Sequence, residues 1–245
     1  MNRTFLSIQA TYSHATIALF QQSACLEVFF SDHAKASSHL IRYCDDVLKR
    51  HNLTLSALDF IAIDKGPGAF TSLRVALATV NGIAFANKIP LVGIDGLDAL
   101  TNDIVEKIKN HELEYRSIIV AILNAYNNDV YYAITALGAD IPQQAVFPQE
   151  KGCKKIERVL HDLQTAYPST PIIITGNGVT HYQDVIEQSP IATMMHHYPQ
   201  ATASVQIIAQ LALEQFSHES AHSYKIEPVY IKSQDFAIAP RQKKE

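Results

Sequence analysis

The residues most suggestive of chemistry are His218-Glu219-Ser220-Ala221-His222, an H-E-x-x-H match. On a helix this spacing sets two imidazoles on one face to hold zinc, with the glutamate as base. The setting opposes that reading. A metalloprotease helix lies deep in its domain between apolar flanks, whereas this match stands at the polar end of an amphipathic stretch, 202–216. Glu227 is the sole nearby downstream candidate for a third ligand. A solvated helix terminus is the plainer account, and a zinc hydrolase using His218 and His222 is kept as an alternative. His196 and His197, and the pair His33 and His39, have no ligand spacing and read as surface or cap residues. The serines, Ser204 included, lack a G-x-S-x-G context, so no nucleophile elbow is expected.

A second candidate is the stretch Gly66-Pro67-Gly68-Ala69-Phe70-Thr71-Ser72-Leu73-Arg74. Glycine-rich turns that open helices bind phosphate. This one lacks G-x-x-x-x-G-K-[ST], and Thr71 or Ser72 stands where G-x-G-x-x-G needs its last glycine. It reads as a structural corner. Gly66 and Gly68 allow backbone angles that other residues resist, and Pro67 fixes the bend. Thr71 or Ser72 is expected to cap the helix that follows.

These residues need elements to hold them. Before the corner, 58–63 reads as a buried strand. After it, 75–86 is a proline-free run of small and apolar residues, including Ala76, Ala78, Gly82 and Ala84. A helix with so little polar surface must be buried all round, in its own chain or against another. Upstream, 4–8, 15–20 and 26–30 read as three short strands joined by tight turns. A helix capped by Ser37 or Ser38 follows, with Leu40, Tyr43, Cys44, Val47 and Leu48 at helical spacing. Downstream come a strand at 90–94 and a helix at 96–109.

A second round begins near residue 116, with strands at 117–123 and 130–137 around an Asn127-Asn128-Asp129 turn. A helix is expected at 152–167, a strand at 171–175, helical structure at 179–188 and a helix at 202–218. A final strand or extended segment is expected at 228–231. The order describes an α/β protein of two related halves, 1–100 and 101–245. Helix 202–216 is expected to pack back toward the first half.

Composition bounds the rest. Hydrophobic residues are 47% of the 245 and charged residues 18%, as in ordinary globular proteins. The net charge of −4 is not that of a chain that grips nucleic acid unaided. The one small basic cluster is Arg241, Lys243 and Lys244. Three widely spaced cysteines, Cys25, Cys44 and Cys153, suggest neither a disulfide framework nor a zinc site, and fit a cytoplasmic setting. No run approaches the ~20 apolar residues of a membrane span.

Taken together, these pieces resemble the TsaB (YeaZ) family, a bacterial subunit in the synthesis of the threonylcarbamoyl modification on adenosine 37 of tRNA. The family corner G-P-G-S-F-T-G-L-R is matched at Gly66 to Arg74. The family opening I-L-A-I-D-T-S-T is met by Phe5-Leu6-Ser7-Ile8-Gln9-Ala10-Thr11-Tyr12, and I-P-L-V-G-V-S-S-L by residues 89–97. A pattern like A-x-I-D-A-R-x-x-E-V-Y is met by residues 121–131. The C-terminal E-P-x-Y-L-R is met by Glu227-Pro228-Val229-Tyr230-Ile231-Lys232.

The resemblance implies a duplicated actin-like (ASKHA, RNase H-like) two-lobe fold. It implies a non-catalytic subunit without cofactor that binds the transferase TsaD, is joined by the small ATPase TsaE, and meets tRNA only through the complex. In the family the two N-lobe helices bundle with the partner's equivalents. Helices 37–51 and 70–87 are therefore expected to offer an apolar surface to TsaD, or to a second copy in a homodimer. Helical spacing assigns Tyr43, Val47, Phe70, Thr71, Arg74, Val75 and Ala78 to it. Gln9 and Asn124 replace the family's strand-end aspartates, and Tyr126 the following arginine. An actin-like kinase needs carboxylates at those two strand ends, and an amide is no general base. Kinase or ATPase activity, with Asp64 or Asp95 substituting, is the enzyme alternative. Proteolysis of the partner finds no constellation.

Overall fold

The computed structural model describes residues 2–32, 36–115, 118–138, 140, 142–218 and 223–232. The chain opens as an antiparallel meander, β1 (Thr4–Gln9), β2 (Ala15–Gln21) and β3 (Ala24–Ser31). A 3-10 turn at Ala36–His39 leads into α1 (Leu40–Arg50). Then β4 (Phe60–Asp64), α2 (Phe70–Asn87) and β5 (Leu91–Ile94) place two strands parallel to β1. The sheet order is β3-β2-β1-β4-β5.

After α3 (Gly96–Lys109) the plan repeats. The strands β6 (Ile118–Asn124), β7 (Asp129–Ala136) and β8 (Glu150–Lys155) form the second meander, followed by α4 (Ile156–Ala166). Next come β9 (Ile172–Thr175), α5 (Asn177–His181), α6 (Gln183–Glu187), β10 (Met195–Tyr198) and α7 (Val205–His218). The order β10-β9-β6-β7-β8 repeats the first sheet strand for strand.

The closing helix of each round crosses to the other round's sheet. α3 packs on β6 and β7, and α7 on β1, β2, β4 and β5. The result is five layers, with α1 and α2 outside the first sheet and α4 to α6 outside the second. The outer core of the first lobe joins Leu6, Ile8, Ile17 and Ile63 to Leu40, Val47, Leu73, Leu77 and Val80. The central core is shared by both lobes. Phe60 stacks on Phe5 at 4.3 Å and on Phe216 of α7 at 4.4 Å, and Leu97, Leu100, Ile208 and Leu123 join the same cluster.

Several local expectations are corrected. The helix expected at 152–167 starts only at Ile156, because 152–155 extends β8 against β7. Gly152 belongs in that ladder, where a Cβ would lie 2.9 Å from the Tyr132 ring. β10 was not expected: Met195-His196-His197-Tyr198 alternates no apolar residues, and pairing to β9 alone makes it a strand. Segment 228–231 is extended but joins no sheet. Neither Thr71 nor Ser72 caps α2, since both lie inside its first turn, and Ala69 holds the cap position with no side-chain bond. Ser37 and Ser38 fall within the 3-10 turn, so His39 precedes α1.

Candidate protein-binding face beside a closed interlobe junction

The glycine corner is positioned by bonds to its own chain. Gly66 has φ +98°, a left-handed angle that suits glycine. Its N–H donates to the Asp64 carboxylate at 2.8 Å, and its carbonyl accepts from Gly96 N at 2.7 Å. Ala69 N donates to Thr11 O at 2.8 Å. A Cβ on Gly68 would lie 2.6 Å from that same oxygen, so this glycine is needed for close approach. The corner thus clamps the β1–β2 hairpin, with the Gly66 and Ala69 N–H groups bonded to protein acceptors.

At the strand ends where kinase carboxylates would stand, Asn124 Oδ1 is bonded, whereas the buried Gln9 Oε1 has no hydrogen-bond partner among the described residues. Gln9 Nε2 donates to Thr11 Oγ1 at 2.7 Å. Asn124 Oδ1 accepts from Tyr126 N at 2.8 Å and from the Tyr182 hydroxyl at 3.0 Å. Tyr12 reaches across from the first lobe, and its hydroxyl donates to Asn124 O at 2.9 Å. Burial pushes the Tyr12 phenol far up, so it stays a neutral donor. The ring nitrogen of His14 lies 3.3 Å from Thr202 Oγ1 across the same junction. Gln9, Thr11, Tyr12 and Asn124 are all buried.

Asp64 and Asp95, the substitutes considered for those carboxylates, are tied into structure. Asp64 holds the corner, and burial pushes its carboxyl up to about 7, against the pull of the Gly66 N–H. Asp95 caps α3, accepting from Leu97 N at 2.9 Å, and pairs with Lys151 at 3.0 Å. Asp95→Ala is expected to cost about 1–2 kcal/mol of stability, the usual worth of an N-cap plus a half-exposed pair. Urea unfolding checks this.

The described residues leave one flank of α2 uncovered. Leu73, Ala76, Leu77, Val80, Ile83 and Ala84 face the core. Thr71, Arg74, Ala78, Gly82 and Phe85 form the opposite, exposed stripe, with Phe85 72% accessible. A Cβ built on Gly82 meets nothing within 4 Å. Among the described residues the helix is therefore not covered on all sides. At its start, the Arg74 guanidinium lies 3.5 Å from the Phe70 ring centroid, and its Nε donates to the Tyr230 hydroxyl at 3.0 Å.

Tyr230 belongs to a strap, 223–232, that borders the stripe. Asn81 exchanges two hydrogen bonds with Ile226, at 2.9 and 2.8 Å. Val229 N donates to Lys65 O at 2.9 Å. Lys232 anchors the strap to the second lobe through Asp129 at 2.6 Å. Together with Lys155, Lys232 holds the Asp129 carboxyl below its usual range, although partial burial pushes it the other way.

The structure sorts the expected surface residues. Phe70, Thr71, Arg74 and Ala78 share the exposed flank, and Val75 lies half-buried at its margin. Tyr43 sits elsewhere, against Phe29 at 4.8 Å, with its hydroxyl accepting from Ser31 at 3.1 Å. Val47 is a correction: it is 0% exposed and belongs to the core, so it cannot line a surface. The expected two-helix apolar surface also shrinks. The outer face of α1 carries Arg42, Asp45, Lys49 and Arg50, with Ile41 its exposed apolar residue. Gly82, Phe85 and Tyr230 were missed. Continuing the four-residue step from Arg74 and Ala78 would have found Gly82, but no sequence signal brings Tyr230 to α2.

Of the zinc motif, Glu219 to His222 lie outside the described residues, as do His33 and the basic cluster Arg241, Lys243 and Lys244. Among the described residues no three His, Cys, Asp or Glu side chains cluster to hold a metal. The three cysteines are free thiols. No described helix is long and apolar enough to cross a membrane.

A family model described as TsaD, tRNA N6-adenosine threonylcarbamoyltransferase, matches residues 31–239, most of the chain. The chain belongs to this family, on its TsaB (YeaZ) side. Over 132 residues it is 26% identical to the tRNA threonylcarbamoyladenosine biosynthesis protein TsaB of Buchnera aphidicola from Schizaphis graminum, covering 54% of this chain and 60% of that protein. It is also 26% identical over 132 residues to TsaB of Haemophilus influenzae, covering 54% and 53%. The aligned region thus spans little more than half the length of these relatives. Among solved structures, YeaZ from Pseudomonas aeruginosa superposes with a TM-score of 0.70 at 22% identity, over 93% of this chain and 99% of that one. Another solved structure, of a protein with similarity to peptidase YeaZ from P. aeruginosa, gives 0.72 at 21% identity, over 94% and 100%. A putative N-acetylmannosamine kinase from Listeria monocytogenes gives 0.51 at 8% identity, over 88% and 100%. The fold is the actin-like, two-lobe α/β fold.

Proposed function

We propose that the chain is a non-catalytic subunit in the synthesis of threonylcarbamoyladenosine in tRNA. In this reading it binds a TsaD-type transferase through the open flank of α2 and supports transfer of the threonylcarbamoyl group to adenosine 37. The observation that carries it is the bare stripe Thr71, Arg74, Ala78, Gly82 and Phe85. Small residues at Ala78 and Gly82 let a second helix approach closely, and Phe70 and Phe85 supply apolar anchors at the two ends. The names of the relatives supply the reaction.

The interlobe junction supports an accessory role. Gln9 and Asn124 are amides, Tyr12 bridges the lobes, and Asp64 and Asp95 bond to backbone N–H groups. The net charge of −4 suits a subunit that meets tRNA through its partner, with a TsaE-like ATPase joining the same assembly. Hydrogen exchange of the chain with and without a TsaD-type subunit tests the reading. Slowed exchange should concentrate in α2 and the strap 223–232. Protection confined to α4 to α6 would sink it.

A further inference from the structure

We infer that Arg74 is the charged anchor of the α2 flank, and that the partner seats on it a carboxylate, from an Asp or Glu of the helix that packs against Ala78 and Gly82. The inference rests on the reading of that flank as the partner-binding face. Arg74 is the one charged side chain among the 18 residues of α2, and it is exposed. Its Nε donates to the Tyr230 hydroxyl at 3.0 Å, and no acidic side chain of the described residues pairs with it.

An arginine on an open helix face ordinarily loses much rotamer freedom when it binds. This one is already held. Its guanidinium lies 3.5 Å from the Phe70 ring centroid and 5.5 Å from that of Tyr230. The bond to Tyr230 takes Nε and leaves both Nη groups for an outside acceptor. Such a planar fork matches a carboxylate, which accepts two parallel N–H bonds. The surroundings carry the same sign. α2 begins with no side-chain cap, so the positive end of its dipole lies about one turn from Arg74.

Position along the helix assigns the acid to a protein. Arg74 precedes Ala78 and Gly82 by about 6 and about 12 Å along the axis. A helix lying on that small-residue step therefore carries a residue, one to two turns from its closest approach, over the guanidinium. This continuity, and a net charge of −4, favour a protein carboxylate over a nucleic-acid phosphate.

Calorimetric titration of the full chain with a purified TsaD-type subunit tests the pairing. Arg74→Ala should weaken binding about 10-fold, and Arg74→Glu at least ~100-fold, with the circular dichroism unchanged. Each Asp and Glu in the partner segment that this chain protects from hydrogen exchange is then changed singly to Arg. One of these changes should return Arg74→Glu to within ~10-fold of the native affinity. Rescue by none of them overturns the inference. So does native affinity in both Arg74 variants while Ala78→Arg still weakens binding; the flank then remains the interface without a charged anchor. If Ala78→Arg also binds as the native chain does, the flank is the wrong face, and the proposed function falls with the inference. Arg74 variants that bind the partner normally but loosen tRNA from the assembly would assign the cation to a phosphate and overturn the assigned acid.

Discussion

Ala78→Arg is expected to weaken binding of a TsaD-type partner at least ~100-fold while leaving the fold intact. Ala78 lies on the exposed flank of α2, one turn before Gly82, over which a Cβ meets nothing within 4 Å. Helices that meet at such a step come close enough that a long side chain cannot be housed. The new guanidinium would also be buried without a partner, costing several kcal/mol. About 2.8 kcal/mol already amounts to 100-fold. In the free chain the same side chain points to solvent, and arginine is nearly as good a helix former as alanine. Thermal midpoint and circular dichroism should therefore hold steady. Two comparisons sharpen the result. Val47→Ala, deep in the outer core, should lower stability and spare binding. Arg74→Ala should weaken binding less, because Arg74 lies at the end of the stripe and is engaged by Phe70 and Tyr230. Titration calorimetry with the purified partner decides it, and unchanged affinity in Ala78→Arg would remove the α2 flank from the interface.

How far this flank could be read from sequence depends on the residue. The run 75–86 shows too few polar positions for an ordinary surface helix, and helical spacing places Phe70, Thr71, Arg74 and Ala78 on one side. What spacing cannot show is which of the remaining faces meets the sheet. Val47 repeats with Tyr43 as an outward pair would, yet it packs into the core with Leu40 and Leu48. The strap was still less legible. Segment 228–231 has β-branched and aromatic residues, but its hydrogen bonds go to Lys65 and Arg74, in the first half of the chain. The duplicated order of strands and helices could be read because each sheet repeats the same meander. β8 and β10 were lost because their side chains are half-exposed and charged or histidine-rich, and only neighbouring strands define them.

Stability should fall as pH rises from about 4 to about 7, and Asp64 should account for much of the fall. Its carboxyl is 3% exposed at the end of β4, and a Cβ on Gly96 would lie 2.7 Å from its Oδ1. Burial raises it to about 7; the Gly66 N–H works against this, and the Asp95 carboxylate adds to the rise. An unfolded aspartate titrates near 3.9, so between the two values the folded chain holds the extra proton. The associated stability is fully present below about pH 4 and gone above about pH 7, a change of order 4 kcal/mol. Asp103, which accepts bonds from Ser204 and Gln200, is raised to about 6 by burial and acts in the same direction. Asp64→Asn keeps an acceptor for Gly66 N and removes the charge. It should flatten the profile to the part Asp103 supplies and raise stability at pH 8. Urea unfolding of both proteins at pH 5, 6, 7 and 8 measures the difference; equal slopes would show that the charge at Asp64 is not what burial penalises. Because the carboxyl holds the corner that launches α2, partner affinity at pH 7 should survive the change, as expected of an acid that shapes a turn. A proton-transfer role would instead predict lost tRNA modification with binding intact.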